Sequence, residues 1–487
     1  MRAFGPACLQ PERLGRWPRT VFPLSMAWLL AACGTAPFQT APSIQVPVAY
    51  KEAAAVQMRW QAAQPAEAQP TGQWWRVFND PTLDALQQQA DPSSPVLIAA
   101  AARTKAARAA LQGAEADRLP QVNVLAGVTR QAITGGQAAA PSGTRVPPAT
   151  TWQLGLEASY QMDLFQRAAN GARAAEADAQ ASEVLLRAER LDLQANVAQA
   201  YYQLRTLDAE VNLLTRSRTL RDHTLGLIEK LYSAGTVSEL DLTRAQTDRA
   251  STQTELQGAQ SRRRVAEHAL ALLLGQAPAA FEAPPMPLPA DQYVPQVPPG
   301  VPSALLERRP DVAAAQARMA AAHARVGQAR SALFPAVVLS ARGGQTSAAL
   351  ADLFAASARG WLMSMLASLP LIDSGRNRAA ITRAEAALEE SAAEYRQSVL
   401  QAFGEVESHL ASLDGLRAQV QTADEALAAA RRSTELAGKR YRAGEDSYLT
   451  LLDAQRNLLS IERQSVQLRG LLALRTVGLV RALGGGW

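Results

Sequence analysis

"YSAGTVSELDLTRAQ" (Tyr232 to Gln246) and "YRAGEDSYLTLLDAQ" (Tyr441 to Gln455) carry one pattern at a constant offset, since Tyr441 stands 209 positions after Tyr232. The offset pairs Gly235 with Gly444, Ser238 with Ser447, and Ala245-Gln246 with Ala454-Gln455. A glycine adopts the left-handed conformation that ends a helix, and a serine three positions later caps the next one. Both stretches therefore predict the tight turn of a helical hairpin. Leu240 and Leu242, like Leu449 and Leu451, are expected to restart the packed seam.

The sequence upstream of the second turn supports long helices. Ala384, Leu388, Ala392, Tyr395, Val399, Phe403, Val406, Leu410 and Leu413 follow one another in steps of three or four, and the run continues to Leu427. That spacing averages about 3.5, the coiled-coil period. Beyond the turn, Leu451, Ala454, Leu458, Ile461, Ser465, Leu468 and Leu472 keep heptad register. No proline occurs between Phe165 and Ala277 or after Leu371. Helices of some 60 residues, roughly 90 Å, are expected in each copy.

Further repetition lies before these helices. Pro95 pairs with Pro310, Arg103 with Arg318 and Pro120 with Pro335, bounding one shorter helix per copy, with Ser94 as the cap of the first. Then comes a change of period. "WQLGLEASYQMD" sets Trp152, Leu154, Leu156, Ala158, Tyr160 and Met162 against Gln153, Gly155, Glu157, Ser159, Gln161 and Asp163. Strict alternation is a strand with one apolar and one wet face. "VNVLAGVTR" from Val122, "VVLSARGG" from Val337 and "WLMSMLASLPL" from Trp361 supply three more strands. Each copy thus reads helix, β-hairpin, long helix, turn, returning helix. The divisions are a signal at 1–32, a tether at 33–73, a first repeat at 74–276 (hairpin about 121–163, tip near 232–240), a connector at 277–302, and a second repeat at 303–487 (hairpin about 336–372, tip near 441–449). The fold class is mainly α with a membrane β-barrel, four strands per chain, two internal repeats. Four strands cannot close a barrel, and open edges are not tolerated in lipid. Closure therefore needs more than one chain, and three would supply about twelve strands, within the range of closed membrane barrels.

The N-terminus predicts export. A basic region up to Arg19 precedes "VFPLSMAWLLAA", too short to span a bilayer as a helix, and then "LAACG". Small residues before Cys33 form a bacterial lipoprotein signal, with Cys33 as the lipidation site and new N-terminus. Cys8 would leave with the signal, so no internal disulfide can form. Net charge is +5, but residues 1–32 hold four Arg against one Glu, more than half of that surplus. Elsewhere basic and acidic residues interleave along helices, as on a solvated face. No basic run carries aromatics, so nucleic acid is not an expected partner.

Several motifs, in this order on this repeat, carry a resemblance. They are "WWRVFNDPTLDAL" from Trp74, "ERRPDV" from Glu307, "SLPLIDSGRNRA" from Ser368, the two turn motifs, and "RALGGGW" at the C-terminus. The chain resembles the outer-membrane efflux channel family, the TolC/OprM-like proteins, in its lipoprotein (NodT-like) branch. It departs at Gln166, where the family usually has Gly, and at Ile372, a site often aromatic. The resemblance implies a homotrimer in the bacterial outer membrane, lipid-anchored and extending into the periplasm. It would be a passive conduit for drugs or other small molecules, with a periplasmic adaptor (membrane fusion) protein and an inner-membrane pump as partners. It implies adaptor docking at the tips, Ala234, Gly235, Ala443 and Gly444. It also implies a periplasmic aperture at Tyr441, Asp446 and Asp453, with Thr450 at a place that can be acidic in relatives.

No enzyme is expected. His223, His268, His323 and His409 are scattered on helices without metal-ligand spacing, and no phosphate loop or nucleophile elbow occurs. No cofactor is expected beyond the covalent lipid, and no metal. Two other readings stay open, a structural coiled-coil periplasmic lipoprotein and an efflux adaptor. A scaffold has no need of lipid-facing strands, and an adaptor carries lipoyl-like segments that are missing here.

Overall fold

A computed structural model describes residues 46–47, 49–52, 72–132, 147–289, 294–295, 297–298, 300 and 308–485. The expected signal, Cys33 and most of the tether lie outside them.

After a short 3-10 turn (Trp74–Phe78) come α1 (Pro81–Ser93), α2 (Pro95–Ala116), β1 (Gln121–Gln131), β2 (Ala149–Met162), α3 (Arg167–Ser233) and α4 (Glu239–Leu273). The second copy supplies α5 (Pro310–Arg330), β3 (Ala336–Ser347), β4 (Arg359–Ser368), α6 (Arg376–Arg442) and α7 (Tyr448–Ala482). The long helices α3 and α6 each have 67 residues, and the returning helices α4 and α7 each have 35. At ~1.5 Å per residue, α3 and α6 extend about 100 Å.

The turns follow the expected chemistry. Gly235 and Gly444 have φ of 70° and 75°. The Thr236 N–H donates to Leu231 O and the Gly235 N–H to Tyr232 O, with the same pair at Glu445–Arg440 and Gly444–Tyr441. This is the Schellman arrangement at both ends. Ser238 Oγ then accepts from the Asp241 N–H at 3.2 Å, and Ser447 Oγ from the Thr450 N–H at 3.4 Å. Ser94 caps α2, with proline at N1 as expected, and Pro310 likewise opens α5. Of the seam leucines, Leu242 and Leu451 pack, whereas Leu240 and Leu449 remain exposed. The seam thus restarts two residues further on, at a matched position in each copy.

The four strands form one antiparallel sheet in the order β1-β2-β3-β4. The two hairpins are joined edge to edge, with Trp152 opposite Ser347 and Met162 opposite Val337. Helices α2 and α5 run from the sheet beside α3 and α6, and the turns gather at the far end. There Ile228, Ala245, Tyr448 and Leu452 from both copies form one buried cluster.

The main core lies between the ends. Trp74, Phe78, Tyr201 and Tyr202 stack with Val399, Val406, Leu410, Val477 and Leu479. Two expectations need correction here. Tyr50, in the supposed free tether, is buried in this core, and the Lys51 and Glu52 N–H groups donate to the Glu407 carboxylate at 2.7 and 3.0 Å. The connector is not a bare spacer either. Its Ala283 and Met286 N–H groups donate to Glu267 and Asp208, and Val297 is buried in the core.

The helical charges are the larger correction. Arg205, Asp208, Glu210, Arg221 and Asp248 are buried, not solvated. Asp208 pairs with Arg205 and Arg263, and Asp248 with Arg221 and Arg456, both at 2.7 Å. Burial of charge is tolerated because each is paired and hydrogen-bonded.

Candidate functional site

The sheet's two faces follow from its register. On one face lie Val124, Trp152, Leu154, Leu156, Leu339, Trp361, Met363 and Met365. Trp361, Met363 and Met365 are 81%, 72% and 68% exposed, far beyond what a soluble surface leaves uncovered. On the opposite face, Asn123 opposes Glu157, which opposes Arg342, and Ser159 opposes Ser340, which opposes Ser364. Arg342 donates to Glu157 at 3.1 Å, and the Ser340 and Ser364 hydroxyls are 2.8 Å apart. This face is polar but not uniformly so, since Leu362 and Leu366 also point to it. Strands of 10 to 14 residues match the length needed to cross a bilayer with tilt. No described helix is long and apolar enough to cross a membrane.

The glycines at Gly155, Gly344 and Gly360 fall in one cross-strand row. A Cβ at Gly155 would lie 2.7 Å from the Gly343 carbonyl oxygen, and one at Gly344 would strike Leu154 and Gly155. Only glycine lets the strands curve this closely.

At the tip, Ala234, Gly235, Ala443 and Gly444 are all exposed, and open space surrounds Gly235 and Gly444. Tyr441 lies against Tyr448, with ring centroids 6.0 Å apart, and burial followed by the Asp241 charge pushes its hydroxyl pKa up. Burial and Asp248 push Tyr448 up to about 12. Asp446 is partly engaged, because it accepts from the Ser447 N–H and Thr450 Oγ1 and lies 3.5 Å from Arg440. Asp453 is exposed. The neighbouring Arg456 does not pair with it; that guanidinium turns to Asp248 on α4. Sequence reasoning weighed Arg456 as a partner of Asp453 and overlooked Asp248. A run of aspartates and arginines at three- and four-residue spacing looks the same whether it faces water or a neighbouring helix. Tyr50 was equally silent, because the Glu407 carboxylate that holds the adjoining Lys51 and Glu52 N–H groups lies some 350 residues away.

Among the described residues, no group of three or more His, Cys, Asp and Glu side chains could hold a metal ion. His409 packs over Gly478, and burial followed by Arg475 lowers its pKa.

A sheet with one apolar and one polar face, continuous with helices about 100 Å long, defines a wall element of a membrane channel. The outer membrane efflux protein family model matches residues 86–276 and 301–485. The chain is 34% identical to the pyoverdine export outer membrane protein OpmQ of Pseudomonas aeruginosa, over 95% of this chain and 96% of that protein. It is 33% identical to the outer membrane protein OprJ of the same species, over 95% of each. The solved structure of the outer-membrane channel OprN superposes with a TM-score of 0.82 at 30% identity, covering 92% of this chain and 99% of that one. The chain belongs to the outer membrane efflux protein family, and it is an efflux channel protein of the outer membrane that extends into the periplasm.

Proposed function

We propose that three copies close into one conduit. A twelve-strand barrel crosses the outer membrane, and a helical barrel continues it through the periplasm. The observation that carries this reading is the pair of open edges, β1 and β4, on a sheet whose apolar face is bare. Lipid offers no partner to edge N–H and C=O groups, so each edge must meet another copy. The conduit is a passive exit without chemistry of its own, fed by an inner-membrane pump through a periplasmic adaptor. Light scattering of the detergent-solubilised protein should give three chains, and planar-bilayer recording should give a continuous pore; a stable, conducting monomer overturns the reading. The scaffold and adaptor alternatives leave the sheet without a use.

Three site assignments extend this reading. Cys33 is the acylated mature N-terminus, on the strength of "LAACG" after a short apolar run. Mass spectrometry of the N-terminal peptide should find the lipid, and an unmodified Cys33 on the mature protein refutes it. The tips around Ala234 and Ala443 receive the adaptor, supported by their exposure and small side chains. Ala234→Trp with Ala443→Trp leaves both glycine caps in place and should abolish adaptor pull-down and export; unchanged binding and export sinks the assignment. Asp453, with Asp446 beside it and Tyr441 at the turn, forms the acidic aperture. Three close carboxylates attract cations. Asp453→Ala should weaken cation preference and multivalent block in bilayer recordings, and Asp446→Ala should add less because Asp446 already meets Arg440. Parent-like selectivity in both variants moves the aperture elsewhere.

A further inference from the structure

Every crossing between sheet and helix has the same chemical order: strand, exposed apolar side chain, arginine. Leading into β1, Arg118 and Leu119 are exposed, and beyond β2, Leu164 and Arg167 are. Leading into β3 stand Arg330, Leu333 and Phe334, and beyond β4 come Leu371 and Ile372, then Arg376 and Arg378. Leu371 and Ile372 are 88% and 93% exposed, in a loop that no core cluster includes. They follow the end of β4 where Met365, on the bare apolar face of the sheet, is 68% exposed.

The arginines stand where helix physics disfavours them. The first turns of α3 and α6 hold no acidic residue, yet Arg167 and Arg376 are their first residues and Arg378 follows two later. The partial positive charge of a helix N-terminus repels a cation. At the first tip the rule is kept, since α4 begins with Glu239 and Asp241, while α7 has neither acid nor base in its first turn. The nearby carboxylates are mostly engaged elsewhere, although the Asp373 carboxylate feels the Arg376 charge. Asp163 is spent on the Ala168 and Ala169 N–H groups, and Asp373 on those of Gly375 and Asn377. Arg330 is satisfied by Glu385 at 2.7 Å. Glu115 and Asp117 lie on the α2 side. Arg118, Arg167, Arg376 and Arg378 form no ion pair among the described residues.

We propose that this rim is a docking surface for anionic phospholipid in the periplasmic leaflet of the outer membrane. The Leu119, Leu164, Leu333, Phe334, Leu371 and Ile372 side chains enter the acyl region, and the four guanidiniums bind headgroup phosphates just outside it. An apolar layer backed by a cationic layer matches the order of acyl chain and phosphate at a leaflet surface. Arginine suits the task because its planar fork grips phosphate bidentately. The inference rests on the barrel reading above.

The test uses the full-length purified oligomer in detergent. Native mass spectrometry counts retained lipids after incubation with phosphatidylglycerol or phosphatidylcholine. The parent should retain phosphatidylglycerol preferentially. The variant Arg118→Gln/Arg167→Gln/Arg376→Gln/Arg378→Gln should lose at least about fivefold of that preference. The fourfold Arg→Lys variant, which keeps the charge, should retain most of it. A parent without preference, or a Gln variant equal to the parent, overturns the proposal. A second reading uses Ile372→Cys labelled with bimane in vesicles of brominated lipid. Quenching is expected; an unquenched probe on an intact oligomer means that a neighbouring copy covers the loop, and it overturns the apolar half. Should the parent itself fail to form an oligomer, the barrel reading has failed and not the lipid site alone.

Discussion

The helical pairs α3/α4 and α6/α7 have the same lengths, the same turn and matching caps at that turn, yet their interiors are built from different chemistry. The first pair buries Arg205, Asp208, Glu210, Arg221 and Asp248. The positions 209 later are Asp414, Arg417, Gln419, Ala430 and Asn457, none of them buried except Ala430. Conversely, Tyr201 corresponds to the fully buried Leu410. Geometry has been kept through duplication while the packing medium has changed. Helix length and termination depend on a few cap residues and on the absence of proline, so they survive wholesale exchange of the seam. Connections between the copies have also settled on the first: Arg456 and Arg463 of α7 reach back to Asp248, Glu210 and Glu255.

The largest test of this difference is Asp248→Ala. It leaves Arg221, only 4% exposed, without its carboxylate, and should cost about 3–5 kcal/mol. Asn457→Ala, at the matching place in the second copy, should stay within about 0.5 kcal/mol. Thermal unfolding midpoints of the solubilised protein compare them, and equal losses would show that the second pair hides an interaction of similar weight.

Next are the glycines that end the returning helices. Gly275 has φ of 70°, and a Cβ there would run into the Ser93 carbonyl; at Gly484 it would lie 2.8 Å from Arg308 O. Strain and clash together should make Gly275→Ala cost about 2–4 kcal/mol. At the tips the space is open, so Gly235→Ala and Gly444→Ala should each cost only about 1 kcal/mol, and equally. Unequal tips would mean that something beyond the helix cap holds one of them. Gln166 is the converse case. It adopts φ of 59° where the second copy has Gly375 at 86°. Gln166→Gly should raise the unfolding midpoint by an amount equivalent to about 1 kcal/mol.

The smallest effect is in pH. His409, whose counterpart in the first copy is Ala200, has a pKa lowered by burial and then by Arg475. A lowered folded value means that the unfolded chain takes up the proton first. Its contribution is therefore complete above pH about 6.5 and declines as pH falls through the lowered value. His409→Gln should flatten the acid limb of stability measured between pH 7 and 5, and an unchanged limb assigns that loss to carboxylates.

The turns, the strands and the shared offset were legible because each rests on local rules. Gly235 and Ser238 act within a few residues, and alternation from Trp152 to Met162 is visible in one line of sequence. The burial of Asp248 was not legible, because it depends on which face of α4 meets α7. The anchoring of Tyr50 to the core was hidden for another reason, since a Pro- and Ala-rich composition says nothing about a single aromatic that finds a pocket. For the proposed aperture residues Asp453 and Asp446, the sequence could not tell that Arg440 and the Ser447 backbone already engage the second.

Equal helix lengths have a consequence for the lower rim of the closed ring. Six hairpins, two per copy, all end at one height because α3 and α6 have the same number of residues. Deleting two heptads from one of them would withdraw three tips by about 21 Å and leave the other three in place. A partner that seats on all six tips would then find a crown with alternate teeth missing. Under the proposed docking at the tips, residue number in these two helices is constrained pairwise, whatever the side chains, and a change of length in one copy is tolerable only with the same change in the other.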